Sequence, residues 1–146
     1  MPVVGRPPKP QGTALNRNKP VHDWIEVADK PYAGPRPSLP PTRTITTQFG
    51  LKDIELQELT HAWWDAVSTM PHCLLWTPSD WSFALATAIV ADAAYCGGVG
   101  AATELRNREK VMGTTVDYRR ALRIRYVEPK PVKVAEVAQI DDYRDL

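Results

Sequence analysis

The residues of this 146-residue chain whose types and spacing point to chemistry are its cations. Gly5-Arg-Pro-Pro-Lys-Pro sets Arg6 and Lys9 among prolines, and Arg17 and Lys19 follow on the same segment. Cations carried on an extended backbone of this kind have phosphates as their natural ligands. A solubilising tail is the competing reading. A second cluster, Arg119, Arg120, Arg123 and Arg125, crowds a short stretch in which Arg119 and Arg123 share a helical face at i, i+4 spacing. It reads either as a nucleic-acid contact or as a solvated face with Glu104 and Glu109 as acceptors.

Other reactive residue types lack the spacing that catalysis needs. His22, His61 and His72 form no HExxH pair, and His61, His72 and Cys73 at a helix end read as local packing rather than a metal site. Gly97-Gly-Val-Gly has neither the lysine nor the spacing of a phosphate loop, and glycines closing a helix account for it. Ser68, Ser79 and Ser82 sit in no GxSxG elbow, and Asp141 and Asp142 lie in a tail where no pKa tuning is expected. The expectation is a non-catalytic protein with no metal and no cofactor.

Charge is segmented. Residues 1–50 carry seven Lys/Arg against three Asp/Glu, 51–97 one against six, 98–130 eight against four, and 131–146 two against four. Separate faces for separate partners follow from that alternation. The most apolar stretch, Phe83 to Cys96, is too short to span a bilayer and contains Asp92, and the amino terminus lacks the apolar core of a secretory signal. A cytosolic protein with Cys73 and Cys96 as reduced, buried thiols is expected.

The elements that must position these residues read as all-α, with a Pro-rich basic arm over residues 1–50, a helical core and oligomerisation domain over 51–126, and an acidic tail over 127–146. Ten of the fourteen prolines precede residue 42 and exclude continuous helix there. The apolar island Val21 to Val27, with Trp24 and Ile25, either docks the arm on the body or a neighbouring subunit or is one sticky spot in a linker. A first helix is expected from about Leu51 to Thr69, with Leu51, Ile54, Leu59, Trp63 and Val67 on one side, stopped by Pro71. Thr77, Pro78 and Asp80 open a second, running to Tyr95. Apolar nearly all round, it reads as both core and subunit interface through Phe83, Leu85, Ile89 and Val90, with a closed homo-oligomer implied. Gly97-Gly98 and Gly113 bracket a third helix over 99–112, and Thr114 caps a short fourth, although Arg123-Ile-Arg-Tyr-Val equally alternates as a strand.

Trp63, Trp64, Trp76 and Trp81 fall within nineteen positions and mark the packing centre. The order of a double Trp late in one helix, a Pro turn, a Trp-bearing helix opened by Thr77-Pro-Ser-Asp, and a charged helix ending in Met112-Gly-Thr-Thr resembles the small subunit of tailed-phage terminase, especially the form in phages of actinobacteria. That resemblance implies an all-helical protein that forms a ring, binds concatemeric double-stranded viral DNA and delivers it to the large subunit, which holds the ATPase and nuclease. It also implies the cytoplasm of the infected bacterial host and no membrane. Gly5-Arg-Pro resembles the core of an AT-hook, with Pro8 before the next cation. The rival readings are a virion or head-completion protein and a small helical DNA-binding regulator.

Overall fold

A computed structural model of the chain describes residues 23–131. Four helices, α1 (Glu58–Ser68), α2 (Pro78–Tyr95), α3 (Val99–Met112) and α4 (Val116–Ala121), are joined by four strands, β1 (Ile25–Ala28), β2 (Thr42–Thr47), β3 (Gly50–Glu55) and β4 (Ile124–Val127). The all-α expectation is therefore wrong. Two small sheets flank the helices, a parallel β1–β4 pair and an antiparallel β2–β3 hairpin.

The hairpin overturns the first half of the long first helix. Leu51 and Ile54 have helical spacing, but they belong to β3, and α1 starts only at Glu58. The cause is legible in its partner: Thr-Arg-Thr-Ile-Thr-Thr is β-branched at five of six positions, a composition that suits a pleated ribbon. Gly50 closes the turn at φ 110, open to glycine and strained for other residues. Register runs from Thr42 opposite Glu55 to Thr47 opposite Gly50. At the tip Phe49 is 92% exposed.

α2 opens as its sequence dictates. The Asp80 carboxylate accepts from the Thr77 amide and hydroxyl, both at 2.7 Å, with Pro78 at the first helical position. Ala84, Ala88 and Ala91 are wholly buried; being small, they let α1 and α3 approach closely. Trp63, Trp64, Val67, Leu105 and Met112 complete the core, and Trp76, Trp81, Leu85 and Val90 pack half-buried against it. Trp81 lies 4.9 Å from Trp76 and 6.3 Å from Trp64, both edge-on.

An extended strap between β1 and β2 covers more of α2. The Tyr32 amide donates to the Thr69 carbonyl at 2.9 Å, the Tyr32 ring meets Trp81 at 5.7 Å, Arg36 donates to the Ser68 hydroxyl, and Leu39 reaches the core. Most of the apolar girth of α2 is thus satisfied within one chain. Ile89 is half-buried; Phe83, Ala86 and Tyr95 stay exposed, with the Arg108 guanidinium 5.3 Å above the Phe83 ring.

The two ends of the described chain meet in the β1–β4 pair. Ile25 faces Ile124 and Ala28 faces Val127 in parallel register, and Val27 is buried. The strand alternative for Arg123 to Val127 is the one the structure adopts, α4 ending at Ala121, and the island around Ile25 docks on its own body. Thr115, not Thr114, caps α4, accepting from the Tyr118 amide. Arg123, at φ 59, is the one non-glycine in the left-handed region among the described residues. Arg123→Val should lower stability by about 1–2 kcal/mol and Arg123→Gly should relieve the strain, so thermal melts are expected to rank the Gly variant above the Val variant.

Candidate nucleic-acid interface

The basic cluster at the carboxyl end of the fold is built around α3's terminus. Gly113 caps that helix at φ 72, its amide donating to the Glu109 carbonyl at 2.9 Å. A side chain there would crowd Leu122 and the His72 ring. The turn sends α4 back so that Arg119 reaches the carbonyls of Gly113 and Thr114, at 3.3 and 3.2 Å, while its guanidinium stacks 4.6 Å from the Tyr126 ring. Cations at a helix C-terminus complement its partial negative charge. Arg119 thereby latches α4 and β4 to α3.

The other arginines divide. Arg120 lies 3.5 Å from Asp117 in an exposed i, i+3 pair, and Arg125 pairs with Glu26 across the β1–β4 register. Arg123 is half-buried at the α4–β4 junction. Arg119, Arg120 and Arg123 are thus brought to one end of the fold, but Arg119 is spent on internal contacts. Arg6, Lys9, Arg17 and Lys19 lie outside the described residues.

Beneath this cluster sits a histidine that sequence reasoning read only as packing. His72 Nε2 lies 2.7 Å from the Met112 carbonyl, which can only accept, so Nε2 carries the proton; Nδ1, 2.7 Å from the Tyr126 hydroxyl, then accepts. Burial pushes the imidazole's pKa down; the Met112 carbonyl opposes this and the Arg119 charge adds to it. Burial likewise raises Cys73, to about 12, leaving an inert thiol, whereas Cys96 is exposed, contrary to expectation. His61 is exposed on α1, whereas His72 is buried. No group of three or more potential ligands gathers among the described residues.

A model of the phage terminase small subunit family matches residues 3–146, nearly the whole chain. The chain belongs to that family. No curated protein and no solved structure matches it. Membership assigns the fold just described to the small rather than the large subunit of a phage terminase. Among the described residues no helix is long and apolar enough to cross a membrane.

Proposed function

We infer that this chain is the non-catalytic, DNA-recognising and regulatory subunit of its terminase, acting in the cytoplasm of the infected bacterium. The family match over residues 3–146 carries this reading. It binds concatemeric viral duplex and presents it to the large subunit, where ATP hydrolysis and cleavage take place. It works as a closed homo-oligomer. Support for assembly comes from apolar side chains left in solvent, Phe49 and Leu51 on the hairpin and Phe83 on α2. Repetition around a ring raises the effective concentration of each weak cationic contact after the first has bound. The arm cations Arg6, Lys9, Arg17 and Lys19 supply phosphate contacts in this reading, with Arg120 and Arg123 as a second set.

The test uses the full chain with its cognate large subunit. Alone, the small subunit should hydrolyse no ATP and cut no DNA; added to the large subunit, it should change the DNA-dependent ATPase rate in a saturable way. A rate that stays flat across the titration sinks the regulatory role. Light scattering addresses assembly separately, and a stable monomer would end the ring.

A further inference from the structure

The outward face of α3 is the one helical surface of the described fold where cations stand without acids. Its inner side is fixed by buried Leu105 and Met112, which turns Val99, Thr103, Arg106, Asn107 and Lys110 to solvent, all of them exposed. Helical spacing places these five within little more than a quarter-turn of one another. The helix holds two carboxylates, and each is drawn off to a flank. Glu104 accepts from Arg108 at 2.7 Å, and Arg108 in turn leans over Phe83 of α2. Glu109 accepts from the Trp63 indole nitrogen at 2.8 Å, across the core. Arg106 and Lys110, one turn apart, have no ion-pair or hydrogen-bond partner among the described residues.

We propose that this face of α3, through Arg106, Asn107 and Lys110, is a surface on which the chain engages duplex DNA. The proposal rests on the DNA-binding role inferred above and locates it. Charge favours a polyanion as the occupant: it neutralises both Arg106 and Lys110, whereas a second copy packed face to face would set these cations against their own like charges. Shape agrees. Fourteen residues make a rod about 21 Å long and about 10–12 Å across, the width of a major groove of about 12 Å. The side chains are of the types that read and grip a groove: arginine for guanine edges, asparagine for adenine edges, and lysine and threonine for phosphate. The Arg119 cluster differs in this respect, because its leading cation is already engaged with protein carbonyls and an aromatic ring.

Fluorescence anisotropy of a labelled duplex against the full-length chain, repeated over a salt series, tests the assignment. Arg106→Ala/Lys110→Ala is compared with the wild type and with the arm variant lacking Arg6, Lys9, Arg17 and Lys19. Both α3 substitutions are solvent-exposed and helix-compatible, so circular dichroism and the melting temperature should be unchanged. The expected result is at least a tenfold weaker affinity, and a fall of about 0.9 in the slope of log K against log salt for each lost phosphate contact. Asn107→Ala should instead reduce discrimination between sequences with little change in slope. If the wild type binds and the double variant matches it in affinity and slope, the α3 assignment is overturned and the DNA-binding role stands. If the wild type fails to bind duplex at all, the role itself is overturned, and the assignment with it.

Discussion

Asp92→Ala should cost about 3–5 kcal/mol of folding stability, because it leaves the half-buried Arg43 charge, the part-buried Gln57 amide and the buried Thr60 hydroxyl without their acceptor. Asp92 is wholly buried in α2 and its carboxylate collects the Gln57 amide at 2.7 Å, the Thr60 hydroxyl at 2.8 Å and the Arg43 guanidinium. Those donors come from the base of the hairpin and the first turn of α1, so one side chain fastens two elements to a third. Burial pushes the Asp92 carboxyl up, but the Gln57 amide, Arg43 and Thr60 together outweigh it and hold it below the ordinary carboxylate range. Its folded pKa is depressed, so its stabilisation is complete above the unfolded value of about 3.9 and is lost as pH falls through the folded one. Urea denaturation measures the loss. Replacing Arg43 and Asp92 together by apolar residues should recover much of it, since no orphaned charge remains. A single variant within about 1 kcal/mol of the wild type would show that the clamp contributes little.

His72 should make the fold sensitive to mild acid. Its neutral form fits both neighbours, donating to Met112 and accepting from Tyr126, whereas a protonated ring would lose the acceptor at Nδ1 and face Arg119. A base whose folded pKa is depressed gives stability that is full above the unfolded value of about 6.5 and falls as pH drops from there toward the folded pKa. The melting temperature of the wild type should therefore decline between about pH 7 and pH 5. His72→Phe should flatten that decline while costing about 2–4 kcal/mol at neutral pH, because the Met112 carbonyl and the Tyr126 hydroxyl lose their partner. A wild-type melting temperature constant over that interval would refute the titration argument.

Both residues show where sequence reading stops. α2 and α3 were legible because their signals are local: Thr77, Pro78 and Asp80 start one helix, and Gly113 ends the other. The Trp-rich centre was legible because large apolar side chains in that number must be buried together. The hairpin is hidden although its signal is also local, since Leu51 and Ile54 fit a helical spacing as well as a strand and the β-branched run before them follows directly on the Pro-rich segment. Asp92 read as an interruption in an apolar stretch, because its partner Arg43 lies 49 positions away. His72 and Tyr126 are 54 apart, and β1 and β4 about a hundred. The cationic surface was only half legible: outward-facing Arg106 and Lys110 follow from helical spacing, but the diversion of Glu104 and Glu109 depends on Arg108 and on a tryptophan of another helix.

The direction of the β1–β4 pair has a mechanical consequence. The chain enters β1 at Ile25 and leaves β4 at Val127, at opposite ends of two strands running the same way. Tension applied between the two flanking segments would therefore slide one strand along the other instead of peeling them apart. Its hydrogen bonds, including those from the Ile25 amide to the Arg123 carbonyl and from the Asp29 amide to the Val127 carbonyl, both 2.8 Å, would be loaded together. Bonds that share a load must break together, and forced unfolding is governed by that rate and not by equilibrium stability. Under such tension this small pair would serve as a shear fastener that keeps pulling forces out of the helical core.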